Sequence, residues 1–128
     1  MKIKGDIIQI DERKENILRA HAHPIKKVEF GSNYLKDVIS TMQKALAKES
    51  DGVALAAPQI ALSLRIFVVS PNAYHEDAKW KPLVFINPKI TKMSKKTAIM
   101  QEGCLSGRWV YGKTTRAVSA TVEAYDIE

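Results

Sequence analysis

The sequence predicts an α+β fold in which one long helix packs on a mainly antiparallel β-sheet. An apolar stripe with the period of a helix runs from Leu35 to Leu46, and apolar and polar residues alternate from Val118 to Tyr125. A length of 128 residues suits a single domain with one modest core.

Residues 1–30 show no sustained apolar period and are expected to be irregular, since Pro24 opposes a helix there. The long helix is expected over residues 32–49, with Ser32 or Asn33 as its cap. Gly52 is expected to end it in a left-handed conformation. The buried face of this helix has helical spacing and consists of Leu35, Val38, Ile39, Met42 and Leu46.

The rest of the chain predicts strands separated by turns. Arg65–Ser70 is rich in β-branched residues, and Leu83–Asn87 is a second strand that Pro88 is expected to end. Residues 72–81 are polar and predict a loop, whereas Ile90–Gln101 predicts one or two strands. The alternation from Val118 to Tyr125 predicts a last strand with one buried face.

The composition is that of a folded globular chain, with 45% hydrophobic and 27% charged residues. The apolar runs are too short to span a bilayer, and the N-terminus lacks the apolar core of a signal peptide. A single cysteine excludes an internal disulfide. These features predict a cytoplasmic protein in a reducing compartment, with no membrane partner.

The net charge of +6 comes from lysines and arginines that are scattered along the chain. One interpretation is a solvated basic surface. The other is a weak attraction to ribosomal RNA, because phosphate groups attract basic proteins. The sequence leaves both open.

Two short segments stand out as candidate chemistry: Gly52-Val53-Ala54-Leu55-Ala56-Ala57-Pro58-Gln59 and Glu102-Gly103-Cys104-Leu105-Ser106. Taken alone, Cys104 is more often a small buried hydrophobe than a ligand, and Gln59 is usually a surface residue. Gly103 beside the thiol would permit close approach of a bound molecule. A thiolate is also a good ligand for iron or zinc.

Together the two segments resemble signature motifs of the peptide deformylase family, which removes the formyl group from the N-terminal formylmethionine of nascent polypeptides. The resemblance implies that Cys104 is a metal ligand for Fe²⁺, or for Zn²⁺ or Ni²⁺ in its place. It further implies that the amide of Gln59 and the backbone N–H of Leu105 stabilise the oxyanion of the transition state. The implied partners are N-formylmethionyl peptides.

The resemblance also implies a substrate-binding set. Gly52 and Val53 match positions that line the pocket for the methionine side chain, and Gly103 lies beside the reacting group. Tyr111 stands where the family often has an arginine that contacts substrate. Ala54 stands where the family has a glycine. The alanine would be strained if the backbone there had positive φ.

Other departures concern the second half of the chain. Arg116 matches a later basic position of the family. Trp109 either covers the pocket or packs as a partly exposed aromatic.

The family's third motif, a helical His-Glu-x-x-His that supplies two further ligands and the general base, does not occur in these 128 residues. His21, His23 and His75 have no ligand spacing to Cys104. The expectation is therefore one peptide-deformylase-like domain over residues 1–128, truncated and lacking the C-terminal metal-binding helix. It is either a piece of a longer protein or a natural truncation.

Two functions follow from this expectation. The first is the metal-dependent deformylase of the family, with 1–128 inactive alone. The metal is expected in a complete family member, and the sequence leaves open whether this chain binds it. The alternative is a catalytically inactive module that binds a peptide or a partner chain. Self-association is also expected, through the sheet face that carries Val118, Ala120 and Val122.

Overall fold

The computed structural model describes residues 5–9, 16–49, 52–71 and 83–127, with the backbone alone at 108–110. The loop predicted at 72–81 lies outside these residues, and so does His75. No helix in the described part is long and apolar enough to cross a membrane. The elements in chain order are α1 (Asn16–Arg19), a 3₁₀ turn (Lys27–Glu29), α2 (Asn33–Ala47), β1 (Ala54–Ala56), a 3₁₀ turn (Ala57–Ile60), β2 (Ile66–Val69), β3 (Leu83–Met93), β4 (Thr97–Cys104), β5 (Gly107–Ala117) and β6 (Ala120–Tyr125).

Helix α2 confirms the predicted long helix. The Ser32 hydroxyl caps its start by accepting the Leu35 N–H at 3.1 Å. All five residues of the predicted apolar stripe are buried, together with Ala45. They pack against the apolar side chains of β1, β2 and β3, which form the core: Leu55, Ile66, Val68 and Ile86.

The end of α2 differs from the prediction at Gly52. This glycine does not have positive φ, so a left-handed cap is not its role. An added Cβ would lie 2.9 Å from the Leu46 side chain and 3.2 Å from the Glu49 carbonyl oxygen. Gly52 is required because the chain doubles back tightly against the end of the helix.

The sheet is antiparallel, which confirms the predicted α+β class. Four strands pair in the order β1-β2-β3-β6, and β4 pairs with β5 in a separate ladder. The β4–β5 pair extends the β3–β6 pair, because β3 leads into β4 and β5 leads into β6. Pairing persists across both connections: Ser94 N–H donates to the Ser119 carbonyl at 2.9 Å, and Val118 N–H donates to the Lys96 carbonyl at 3.0 Å. The result is one long two-stranded ribbon with its tip at Leu105-Ser106.

Pro88 does not end β3, contrary to the sequence prediction. The strand continues to Met93 because a bulge between Ile86 and Lys89 absorbs the proline, whose missing N–H would otherwise interrupt the ladder. Asn87 occupies the bulge with a φ of 52°. Its side-chain amide accepts from Ile25 N–H at 2.7 Å and donates to the Ile25 carbonyl at 2.9 Å. Asn87 thereby ties the irregular N-terminal part to the sheet.

Strand β6 has no buried face in the described chain, which corrects the expectation of one buried face. Tyr125 pairs with the buried Ile86 and so lies on the α2 side of the sheet. Because side chains alternate, Val122 and Ala120 lie on the other side, opposite Ile90 and Met93. We call these four residues the outer face. Ile90 is 58%, Met93 59% and Val122 38% exposed.

Asn87 provides a test of how the N-terminal part is held. Asn87→Ala should lower the free energy of unfolding by about 2 kcal/mol, because two partly buried hydrogen bonds are lost. Asn87→Gly loses the same bonds but tolerates the left-handed backbone, so it should be less destabilised by about 0.5–1 kcal/mol. Urea unfolding of both variants gives the two values. Equal losses would show that the positive φ carries no strain.

Candidate active site

The side chain of Gln59 is held in one orientation by the 3₁₀ turn that follows β1. Its Oε1 accepts the backbone N–H of Ala56 at 2.9 Å. Pro58 lies in the first turn, where its missing N–H costs nothing. Ala61 ends the turn with a φ of 68°. With the oxygen engaged by the backbone, the amide nitrogen is the end of Gln59 that faces the neighbouring ribbon tip.

Cys104, Leu105 and Ser106 lie at the tip of the ribbon. Leu105 and Ser106 form the turn between β4 and β5, and Cys104 pairs with Gly107 across it. Leu105 and Ser106 are buried, at 9% and 3% exposure, whereas Cys104 is exposed. Burial of the two turn residues against the body of the domain leaves the thiol directed to accessible space.

The two motifs meet at Gln59. Its Nε2 donates to the Ser106 hydroxyl at 3.1 Å and lies 3.7 Å from Cys104 Sγ, across 45 residues of sequence. The structure thus brings together Gln59, Cys104 and Leu105, as the resemblance implied. Ser106 was not predicted from the sequence as a partner of Gln59. Its position as last residue of the second motif was the available signal.

A cavity of about 350 Å³ opens at this meeting point, within the size range of small-ligand sites. Its lining combines the thiol and the amide with apolar and cationic groups: Leu18, Arg19, Ala56, Pro58, Gln59, Cys104 and Ser106. Leu18 and Arg19 come from α1, which packs beside the second 3₁₀ turn. The cavity therefore has donors for a polar group and an apolar wall.

The four predicted substrate-binding residues lie outside the lining of this cavity. Gly52 is buried beside the end of α2, and Val53 is 58% exposed just before β1. Gly103 and Tyr111 face each other across β4 and β5, and a Cβ on Gly103 would lie 2.6 Å from the tyrosine ring. The absence of a side chain at Gly103 therefore leaves room for the ring of Tyr111. Binding of substrate by these residues stays a prediction.

Two further expectations from the sequence concern Ala54 and Trp109. Ala54 lies in β1 without positive φ, so its replacement of glycine carries no backbone strain. The side chain of Trp109 lies outside the described residues.

Among the described residues, no group of three or more His, Cys, Asp or Glu side chains is close enough to hold a metal ion. Of the described residues that line the cavity, Cys104 alone is such a donor. A structural or catalytic zinc site uses at least three protein ligands. The described residues alone therefore do not fit a complete metal centre, although the exposed thiol is suitable as one ligand.

An ion pair spans β4 and β5 two residues before the thiol. Arg116 donates to Glu102 through Nε at 2.9 Å and through Nη2 at 2.7 Å, a two-pronged geometry that fixes both side chains. The hydrogen bonds from Arg116 hold the pKa of Glu102 below its usual range. Both side chains are partly exposed, so the pair orients the ribbon more than it stabilises the domain.

Removal of the guanidinium should show a defined pH dependence. Because the folded pKa of Glu102 is lowered, its stabilisation is present above the ordinary glutamate pKa and is lost as pH falls through the lowered pKa. Arg116→Ala should therefore lower Tm modestly at neutral pH, and the difference from wild type should shrink on acidification. Lys113→Ala, which removes a cation from the same strand, is the control. A difference that stays constant with pH would contradict the pairing.

Comparison with known proteins identifies the family. The model of the polypeptide deformylase family matches residues 6–128. The chain is 36% identical over 120 residues to the peptide deformylase of Chlorobaculum parvum, covering 94% of this chain and 62% of that protein. It is 34% identical over 120 residues to peptide deformylase 1B, chloroplastic/mitochondrial, of Arabidopsis thaliana, covering 94% of this chain and 42% of the relative.

The fold agrees with a solved structure. The Met-Ala-Ser-bound class I type b peptide deformylase from Acinetobacter baumannii superposes with a TM-score of 0.83 at 27% identity, over 99% of this chain and 79% of that one. The chain thus spans 62% of the length of the Chlorobaculum protein and 42% of the Arabidopsis protein. On the family match and these identities, the chain belongs to the polypeptide deformylase family.

Proposed function

We propose that this protein takes part in the metal-dependent hydrolysis of the N-formyl group from formylmethionine at the start of nascent polypeptides. The observation that carries the proposal is the 3.7 Å separation of Gln59 Nε2 and Cys104 Sγ in one cavity. In such a pair the amide can donate to the oxyanion of a reacting carbonyl, and the thiolate can serve as one ligand of a metal that activates water. A relative was solved with Met-Ala-Ser bound, which supports a peptide beginning with methionine as the substrate class.

Gln59 and Leu105 are the proposed oxyanion donors. The Gln59 amide is fixed before substrate binds, because Oε1 is held by Ala56 and Nε2 already points to Ser106 and Cys104. Leu105 follows the thiol directly, so its N–H lies on the same turn. Preorganised donors do not have to reorient as charge develops on the carbonyl oxygen, and each contributes about 3 kcal/mol to lowering a barrier.

Cys104 is the proposed ligand for Fe²⁺, with Zn²⁺ or Ni²⁺ as substitutes. The family is metal-dependent, but the described residues do not place two further metal donors beside Cys104. The proposal therefore requires two further ligands and a general base, which the resemblance assigns to a His-Glu-x-x-His segment that these 128 residues do not contain. What this chain contributes is the thiol, the oxyanion donors and the shape of the cavity.

Substrate recognition is proposed to involve Gly52, Val53, Gly103 and Tyr111, none of which is in the described lining of the cavity. Val53 and Tyr111 are exposed and available for contact with a peptide. Because nascent chains are the substrate, the proposed location is the cytoplasm. The net charge of +6 favours a weak association with the ribosome through its RNA.

The alternative is a non-catalytic module that binds a peptide or a partner chain. The observation that favours it is that the described part of the cavity lining offers a single potential metal donor. An activity measurement separates the two proposals.

Purified 1–128 with added Fe²⁺, Ni²⁺ or Zn²⁺ should hydrolyse formyl-Met-Ala-Ser at background rate, since a general base alone contributes about 10²–10⁴-fold. A polypeptide that continues into a His-Glu-x-x-His segment should be active. In that polypeptide Cys104→Ser should abolish turnover, and Gln59→Leu should lower kcat about 10²–10³-fold. Gln101→Leu, on the exposed part of β4, is the matched control.

Two results would contradict this scheme. Absence of turnover in the longer polypeptide would overturn the deformylase proposal and favour the non-catalytic module. Turnover by 1–128 that vanishes in Cys104→Ser would show a different ligand set, with His21 and His23 the first residues to test.

Self-association through the outer face is a further proposal. Ile90, Met93 and Val122 are exposed on one side of the ribbon, and large apolar side chains gain about 1.5–3 kcal/mol each on burial. Sedimentation of 1–128 at micromolar concentration should therefore show dimers or larger species. Ile90→Lys should shift the protein to monomer, whereas Ile99→Lys, on the separate β4–β5 ladder, should not. A wild-type monomer would contradict the proposal.

A further inference from the structure

The N-terminal segment 5–9 crosses both halves of the candidate site. Ile8 N–H donates to the Gln59 carbonyl at 2.7 Å, and the Gln9 side-chain amide donates to the Leu105 carbonyl at 2.8 Å. Two adjacent residues thus contact the 3₁₀ turn and the ribbon tip at the same time. These two structures are otherwise far apart in sequence.

The same segment is anchored in the body of the domain. A Cβ on Gly5 would lie 3.2 Å from the Thr41 side chain of α2, so the segment runs directly against the long helix. Ile7 packs against the core, and the Ile8 side chain is 4% exposed. These contacts fix the segment relative to the core. Gln9 lies at the end of the segment that is next to the site.

The ribbon tip depends on such an anchor. Ile99 is 71% and Met100 51% exposed, so these large side chains of the β4–β5 ladder do not fix it against the core. The tip is held by burial of Leu105 and Ser106 and by two side-chain amides, those of Gln59 and Gln9. Gln9 acts on the carbonyl of the residue whose N–H is the proposed oxyanion donor.

We infer that Gln9 is a positioning residue, which sets the Leu105 turn against Gln59 so that the two oxyanion donors have a fixed separation. The inference rests on the proposed deformylase function. Gln9 does not touch the reacting group and acts through the Leu105 carbonyl. Small displacements of reacting groups have large effects on rate, so loss of this one hydrogen bond should affect kcat more than KM.

The kinetic test uses the metal-loaded polypeptide that contains the His-Glu-x-x-His segment. Gln9→Leu should lower kcat about tenfold with KM changed less than about twofold, since the donors act in the transition state. When combined with Gln59→Leu, it should add little further loss, because one of the two donors to be aligned is already absent. Gln101→Leu serves again as the glutamine control and should leave both constants unchanged.

The structural test uses residues 1–128 and does not depend on activity. The ¹³C shift of the Leu105 carbonyl should change in Gln9→Leu towards that of an unbonded carbonyl, and the Gln59 side-chain amide signals should move with it. Neither should change in Gln101→Leu. These signals report the contact even if no deformylase activity is found.

The outcomes separate the two proposals. If the wild-type enzyme is inactive but the Leu105 carbonyl signal shifts in Gln9→Leu, the deformylase function is rejected. The contact through which Gln9 positions the turn is then retained. An active enzyme in which Gln9→Leu leaves kcat unchanged would reject the positioning role. Losses that simply add in the double variant would also overturn it, because they would indicate general destabilisation.

Discussion

The candidate site depends on the contact between the tip of the long ribbon and the 3₁₀ turn that carries Gln59. One side-chain amide reaches both Ser106 and Cys104 there, while its oxygen is held by Ala56. Each such hydrogen bond contributes about 1 kcal/mol. The site therefore exists because several weak contacts hold the same turn in place.

The two halves of the site differ in how they are fixed. The turn with Gln59 follows β1, whose Leu55 is buried under α2, so it takes its position from the hydrophobic core. The thiol lies on the β4–β5 ladder, where Ile99 and Met100 are exposed. In that half the burial of Leu105 and Ser106 is supplemented by polar contacts, namely the Glu102–Arg116 pair and the Gln9 amide.

The N-terminal segment joins the two halves, because Ile8 N–H donates to the Gln59 carbonyl and the Gln9 amide donates to the Leu105 carbonyl. Asn87 has a comparable role within β3, where it joins Ile25 to the bulge.

The sequence by itself determined the local features. The period of Leu35 to Leu46 predicted α2 and its buried face, and the two motifs identified Gln59, Cys104 and Leu105 before any geometry was known. Such features can be read from the sequence because helical periodicity and motif order are properties of short segments. The tertiary structure decided that β3 passes through Pro88, that Gly52 provides space rather than a cap, and that both faces of β6 are exposed. It also revealed Ser106 and Gln9 as partners of the site, since hydrogen bonds across 47 and 96 residues form only when the chain folds. The place of Ser106 in the second motif marked the residue but not its partner.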